Sequence, residues 1–152
     1  MAFDRTLIAY VTKGGVTEET ASMIANVLQD RYGLEVDLTN LRKNPCPDLR
    51  PYGNVIIGTG VRMQKVYGEA LEFLENDFKD KRVAVFVSSL EPHDEAVTKY
   101  IEKGLANRLN VKPVAARVFG GRMKVLGKVV QDKRDMEKVK SWAEELGKKL
   151  VE

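Results

Sequence analysis

Short apolar runs recur along the chain and alternate with stretches of helical periodicity. Two of these runs, residues 6–11 and 82–88, are almost continuously apolar, which is typical of strands buried on both faces of a parallel sheet. Residues 34–38 alternate between apolar and polar side chains, as a half-exposed edge strand does. The five predicted strands cover residues 6–11, 34–38, 54–59, 82–88 and 114–119.

Between these runs, apolar residues recur every three or four positions, as they do on one face of a helix. Ala21, Ile24 and Leu28 show this spacing after the first strand, and Gly33 follows at a position where helices commonly end. Residues 122–134 show neither pattern, and we predict an irregular basic segment there. The predicted helices cover residues 17–32, 67–78, 92–109 and 135–150.

This alternation of strands and helices predicts the fold class. Strands separated by helical connections form an α/β domain with a parallel sheet and helices on both faces. Right-handed crossover connections leave few strand orders, and a common order for five strands is 2-1-3-4-5. The length of 152 residues suits one domain, so we predict a single domain over residues 1–152.

Composition and charge narrow the possible function classes. A hydrophobic fraction of 43% with 31% charged residues excludes a disordered chain. Cys46 is the single cysteine, so neither a disulfide nor a thiolate metal cluster can form within one chain. The net charge of +3 does not resemble that of a nucleic-acid binder. The longest apolar runs have five residues and the first seven residues lack a signal-peptide core, so we expect a cytoplasmic protein without stable membrane insertion.

The loop after the first predicted strand carries the first candidate chemistry. It joins the strand to a helix and reads Thr12, Lys13, Gly14, Gly15, Val16 and Thr17. Two glycines permit a tight turn whose N–H groups converge on an anion, and the following helix adds its positive end. Such a loop can bind a phosphate monoester with uncharged donors, although a plain capped turn explains the spacing equally well. Neither G-x-x-x-x-G-K-[ST] nor G-x-G-x-x-G is present.

Two further loops follow the third and fourth predicted strands. The carboxyl ends of neighbouring parallel strands meet at the switch point of such a sheet, so these loops lie beside the first one. Their small and hydroxyl-bearing residues let a flat ring approach and offer hydrogen bonds to its polar edge; turn formation and helix capping are the alternatives. The candidate contact residues are Thr59, Gly60, Val61, Arg62 and Met63 in the second loop and Ser88, Ser89 and Leu90 in the third.

Taken together, the three loops resemble those of the flavodoxin family, and the match in arrangement covers nearly the whole chain. That family carries a T/S-x-T-G-x-T loop for the phosphate of FMN. Thr12, Gly14, Gly15 and Thr17 stand at the corresponding positions, with Gly14 replacing a hydroxyl residue. The resemblance implies a flavodoxin-like three-layer sandwich and non-covalent FMN, held by the loop residues named above and by Gly121. It also implies a soluble protein that carries electrons between redox proteins.

A second resemblance is to the flavodoxin-like quinone-dependent protoporphyrinogen oxidases. Those enzymes share an I-R-aromatic turn where this chain has Val61, Arg62 and Met63, and residues 119–123 (FGGRM) are similar too. This resemblance implies a flavin-dependent oxidoreductase as the alternative function. Members of that branch carry a longer basic and apolar insertion, of which residues 122–134 are a short version, and this shortness favours the carrier. A flavin-free binding module is the third option.

The residues around the ring depart from the usual flavodoxin pattern. The third loop lacks the aromatic residue that flavodoxins stack on the flavin, so the candidates to flank the ring are Met63, Leu90, Tyr67 and Met123. The resemblance also places Met63 where flavodoxins usually have a glycine beside flavin N5. Because a Cβ makes positive φ costly, we expect Met63 to resist that conformation. Trp142 lies on the apolar face of the last predicted helix, and we expect it in the core.

The basic segment 122–134 is the candidate docking surface. It holds five basic residues against one acidic residue, a local excess of four positive charges that is larger than the net charge of the whole chain. Such an excess steers an acidic partner, although a solvated loop explains it as well. We therefore expect redox partner proteins, such as ferredoxin-type donors or flavin-dependent reductases, and a monomer or weak dimer.

Overall fold

Five parallel strands form the central sheet of the protein. The computed structural model describes residues 5–152. The sheet strands are β1 (Arg5–Val11), β2 (Glu35–Asn40), β3 (Tyr52–Thr59), β6 (Arg82–Ser89) and β7 (Ala115–Gly120). Their order is β2-β1-β3-β6-β7, while β4 (Val61–Arg62) and β5 (Lys65–Val66) pair only with each other. The predicted order 2-1-3-4-5 is therefore confirmed, and each sheet strand begins and ends within two residues of its predicted bounds.

Helices cover both faces of the sheet, which gives the predicted three-layer architecture. They are α1 (Val16–Tyr32), α2 (Gly68–Phe73), α3 (His93–Ala96), a π-helix (Val97–Leu105), α4 (Ala106–Arg108) and α5 (Met136–Val151). Ile8 and Phe86 pack against α1 and α5, whereas Val85 points to the other face with Leu105. Trp142 is 5% exposed and lies edge-on to Phe86, so its expected place in the core is confirmed. Among residues 5–152, no helix combines the length and the apolarity that crossing a membrane requires.

The π-helix explains how an irregular apolar spacing still faces the sheet. Ala96, Tyr100, Ile101 and Leu105 are all buried. In an α-helix, the nine steps from Ala96 to Leu105 make about two and a half turns, so Ala96 and Leu105 would lie on opposite faces. Hydrogen bonds of the i→i+5 type wind more residues into each turn. The wider helix therefore brings Leu105 back to the buried side.

The segment 122–134 is a β-hairpin, so the prediction of an irregular segment is wrong. Strands β8 (Arg122–Val125) and β9 (Lys128–Asp132) pair antiparallel. Leu126 and Gly127 form a two-residue turn with φ of 51° and 80°, the left-handed conformation that tight hairpins require. Lysines interrupt the apolar residues of both strands, which hides the strand pattern in the sequence.

The helix predicted at 67–78 is also shorter than expected, because α2 ends at Phe73. The backbone turns there, and the side-chain amide of Asn76 donates to the carbonyl oxygen of Phe73 at 2.8 Å. Asn110 then accepts a hydrogen bond from the Phe78 amide at 3.1 Å. Phe78 is fully buried, so its apolar spacing reflects the core and not a longer helix.

A close approach between α1 and α5 depends on a glycine. The Tyr32 ring lies against Gly147, where an added Cβ would come within 2.1 Å of the ring. The Tyr32 hydroxyl donates to the carbonyl oxygen of Glu144 at 2.6 Å, which fixes the ring in place. The packing of the two long helices therefore leaves no room for a side chain at position 147.

We predict that Gly147→Ala destabilises the fold. The added methyl must displace a ring that is held at both ends, and overpacking of this kind costs about 1–3 kcal/mol. Gly68→Ala is the matched control, because a Cβ there meets nothing within 4 Å and φ is not positive. Urea unfolding followed by circular dichroism should show a lower midpoint for Gly147→Ala only. Equal midpoints for both variants would contradict this packing.

Candidate functional site

A cavity of about 340 Å³ opens at the carboxyl ends of β1, β3 and β6. Of the residues predicted from the three loops and Gly121, all except Gly15, Thr59 and Arg62 line it. Its volume lies in the range of small-molecule sites. The lining residues that the sequence did not single out as contacts are Gln64, Glu91 and Arg122, and the possible ring neighbours Tyr67 and Met123 line it as well.

The first loop ends in an uncapped helix N-terminus. Gly15 has φ of 87° and its amide donates to Thr12 Oγ1 at 2.9 Å, so the chain turns sharply into α1. In the described part of the chain, no side chain accepts a hydrogen bond from the first amides of α1. By contrast, Asp135 caps α5 by accepting from the amides of Glu137 and Lys138. The first loop therefore keeps amide donors available for an anion, at the positive end of a long helix.

The two carboxylates in the first turn of α1 are held by other partners. The Tyr10 hydroxyl donates to Glu18 at 3.0 Å. Burial, together with this hydrogen bond, raises the pKa of Tyr10 to about 12, so the phenol stays neutral and keeps donating. Glu19 pairs with Arg134 at 3.0 Å and lies 3.7 Å from Arg122. These contacts reduce the repulsion that Glu18 and Glu19 would exert on an anion in the loop.

Thr17 lies where the three loops meet. It is 2% exposed, and its hydroxyl donates to Ser88 Oγ of the third loop at 3.3 Å. A Cβ built on Gly60 of the second loop would lie 3.4 Å from the same Thr17 oxygen. The structure thus brings all three predicted loops to one pair of hydroxyls. Because a hydroxyl both donates and accepts, Thr17 can accept from Ser88 and turn its own O–H toward an anion in the cavity.

The second loop is a tight hairpin turn. Met63 and Gln64 have φ of 52° and 62°, so the expectation that Met63 resists positive φ is wrong: the two-residue β4–β5 hairpin imposes it. Lys99 of the π-helix holds the turn, with its ammonium 2.8 Å from Gln64 Oε1 and 3.4 Å from Glu91 Oε1. One lysine therefore links the second loop to the third.

Two predicted residues of the second loop take other roles. The Thr59 hydroxyl is buried and donates to the carbonyl oxygen of Gly60 at 2.8 Å, which shapes the loop from within. Arg62 is exposed and lies outside the cavity lining. The Tyr67 ring lines the cavity and carries the Lys13 ammonium 4.9 Å from its centroid, so an aromatic face and a cation border the same space.

Arg122 is the most informative residue that sequence reasoning missed as a contact. Its guanidinium donates to the carbonyl oxygen of Gly14 at 3.2 Å, and its side chain is only 14% exposed. The loop that we expected to bind an anion with uncharged donors therefore has a guanidinium beside it. The signal available in the sequence was its position directly after Gly120 and Gly121, at the end of the fifth predicted strand.

Glu91 contributes a negative charge at the other end of the cavity. The neighbouring Tyr100 hydroxyl, with the Lys99 ammonium and the Ser89 hydroxyl, holds the pKa of this carboxyl below its ordinary value. Glu91 is therefore ionised at neutral pH. Among residues 5–152, no three His, Cys, Asp or Glu side chains are grouped in a way that could hold a metal ion.

Comparison with known proteins adds family information to this geometry. A family model described as a flavodoxin domain matches residues 7–147. The crystal structure of oxidised flavodoxin 2 from Bacillus cereus is 30% identical, covers 95% of this chain and 99% of its own, and superposes with a TM-score of 0.67. Oxidised flavodoxin 1 from the same organism superposes with a TM-score of 0.62 and covers 95% of this chain and 97% of its own. Because it is only 19% identical, this likeness shows the fold alone.

A curated enzyme is similar to part of the chain. Protoporphyrinogen IX dehydrogenase [quinone] from Escherichia coli (strain K12) is 31% identical over 71 residues. The match covers 47% of this chain and 39% of the length of that enzyme. The flavodoxin domain model, in contrast to this partial match, spans nearly the whole chain. The protein therefore belongs to the flavodoxin family, whose members bind FMN.

Proposed function

We propose that this flavodoxin carries electrons between redox partner proteins, with FMN held in the cavity at the strand ends. The uncapped N-terminus of α1 carries this proposal. It supplies amide donors next to the buried hydroxyl of Thr17, which is the donor set that a phosphate monoester needs. Bound there, FMN would supply the electron-transfer chemistry through its ring.

The phosphate end of FMN fits the first loop. Residues 12–17 would bind it through backbone amides and the Thr17 hydroxyl. Arg122, which already touches the carbonyl of Gly14, adds a positive charge beside them. Since hydrogen bonds to an ionised group are shorter and stronger than neutral ones, this end supplies much of the affinity.

The ring end of FMN fits the second and third loops. Met63, Tyr67, Leu90 and Met123 would border its faces, because all four line the cavity. Thr59 supports this end indirectly through the carbonyl of Gly60. Met63 is 86% exposed and marks an open rim, so a partner protein can approach the ring edge from this side.

The β8–β9 hairpin, whose Met123 lines the same cavity, would dock the partner. Leu126 at its tip is 99% exposed, and Val125 and Val130 are exposed too. Lys124 and Lys128 flank these apolar residues. We therefore expect an acidic redox protein with an apolar centre to its docking patch, steered by charge and held by apolar contact.

The similarity to Escherichia coli protoporphyrinogen IX dehydrogenase favours a second candidate function, that of a flavin-dependent oxidoreductase. The two functions separate in one assay. An electron carrier passes electrons from a reductase to a protein acceptor and leaves a porphyrinogen unchanged, whereas the oxidoreductase converts protoporphyrinogen in the presence of a quinone. Purified FMN-loaded protein tested in both assays distinguishes them.

We predict that Thr17→Ala weakens FMN binding by about tenfold or more. A hydrogen bond to a charged group contributes about 1.5–3 kcal/mol, and about 1.4 kcal/mol corresponds to a tenfold change in the dissociation constant. Fluorescence titration of the FMN-free protein measures this constant. Thr17→Ser should keep most of the affinity, and Thr20→Ala is the control because Thr20 is equally buried one turn further along α1. An unchanged constant for Thr17→Ala would refute the placement of the phosphate.

We also predict that Lys124→Glu combined with Lys128→Glu slows electron transfer from an acidic donor at low salt. Charge reversal replaces steering attraction with repulsion, so the rate should fall at least severalfold and the loss should shrink as salt is added. The control pair is Lys103→Glu with Lys112→Glu, which changes the net charge equally at exposed positions away from the hairpin. Stopped-flow kinetics with FMN-loaded proteins measures the rates. If both pairs behave alike, the hairpin does not dock the donor.

A further inference from the structure

A second cavity adjoins the FMN site at the free edge of β7. It has a volume of about 260 Å³ and shares Ser89 and Glu91 with the first cavity. Nothing in the proposed electron-carrier function uses it. Its titratable lining residues come from the third loop, α3, β7, the connection between β9 and α5, and the start of α5, and they are Glu91, His93, Arg117, Lys133, Asp135 and Lys138.

The two carboxylates of this cavity are already engaged by other groups. The Glu91 carboxylate lies 3.4 Å from the Lys99 ammonium and accepts a hydrogen bond from the Ser89 hydroxyl at 3.4 Å, while the Glu91 amide donates to the same hydroxyl oxygen at 3.1 Å. Asp135 accepts from the amides of Glu137 and Lys138 as the cap of α5. Neither carboxylate forms an ion pair with the basic side chains that line the cavity.

The basic side chains are, by contrast, uncompensated. Within residues 5–152, neither Arg117, Lys133 nor Lys138 has a carboxylate within 4.0 Å. The Arg117 Nε is buried and has no hydrogen-bond partner. Lys133 reaches the carbonyl oxygen of Leu90 at 3.2 Å, which leaves two of its three donors. Since Arg117 donates no side-chain hydrogen bond to any of residues 5–152, the outer N–H groups of its guanidinium are left for a ligand in the cavity.

We propose that this cavity is a second anion site, which binds the carboxylate or phosphate group of a small molecule beside the FMN site. Arg117 offers a planar fork of donors that matches either group. Lys138 and Lys133 add charge from two further elements. The cavity is smaller than most drug-sized sites, so it suits a small acid or the anionic end of a larger molecule. Because the site uses none of residues 12–17, it does not depend on the phosphate placement of FMN.

Calorimetric titration of FMN-saturated protein with inorganic phosphate and, separately, with succinate tests this proposal. FMN fills the first loop, so any remaining saturable binding reports the second cavity. We expect at least one of the two anions to bind at a single site. The anion with the lower dissociation constant shows whether the cavity prefers a phosphate or a carboxylate. In parallel, the indole N–H of Trp142 should shift in the NMR spectrum, because this single tryptophan lines a neighbouring cavity together with Arg117 and Lys138.

Matched variants locate the site. Arg117→Gln and Lys138→Gln should each weaken anion binding by about tenfold, and Lys138 is exposed, so its variant folds whatever Arg117→Gln does. Lys140→Gln removes the same charge from an exposed position of α5 outside the cavity and should leave binding unchanged. The proposal is overturned if neither anion binds saturably, or if Lys140→Gln weakens binding as much as Lys138→Gln.

A failure of this site is distinguishable from a failure of FMN binding. In FMN-free protein, phosphate should occupy two sites, of which Thr17→Ala removes one and Arg117→Gln removes the other. Loss of only the Thr17-dependent site on FMN addition supports both assignments. If the protein binds no FMN but Arg117→Gln still removes a phosphate site, the second anion site is supported and the assignment of FMN to the first cavity is rejected.

Discussion

The open N-terminus of α1 is the constraint around which the rest of the site is arranged. Gly15 takes a left-handed conformation and offers no side chain to cap the helix, so the first amides of α1 point into the cavity without protein acceptors. This helix end opens onto the cavity next to the exposed residues Lys13 and Gly14, so its free amides can be satisfied by water or by an anion. Tyr10 and Arg134 hold the two nearby carboxylates, and an anion can then take the place of the missing cap.

Side-chain contacts between loops convert this open end into a defined pocket. Thr17 joins the first loop to the third, while Lys99 joins the third to the second. Arg122 ties the base of the β8–β9 hairpin to the carbonyl of Gly14. Apart from the bond between Lys99 and Glu91, these links connect residues that are far apart in the chain, so the pocket depends on the complete sheet and not on any one loop.

The sequence was sufficient to predict the sheet because its strands are marked by local patterns. The continuous apolar runs of β1 and β6 and the glycine-rich loop after β1 can be recognised without knowing their neighbours. The hairpin at 122–134 could not, since lysines interrupt its valines and only the Leu126–Gly127 turn reveals the pairing. The left-handed Met63 was equally hidden, because it is imposed by the β4–β5 pairing and not by its own preference. Arg117 and Lys138 come to line one cavity only after α5 packs against the sheet.

The attachment of the β8–β9 hairpin has a consequence for how such a protein can diversify. At its base, the Gly121 amide donates to the carbonyl oxygen of Ser89 in the sheet, and the Lys133 amide closes the hairpin by donating to the carbonyl oxygen of Gly121. Gly120 permits this crossing, since a Cβ there would collide with the carbonyl of Lys133. Inserting or replacing residues in the hairpin beyond its base leaves the strands of the central sheet unchanged. A hairpin with a different tip can therefore recognise a different partner without changing the first cavity, provided that Arg122 and Met123, which line it, are kept.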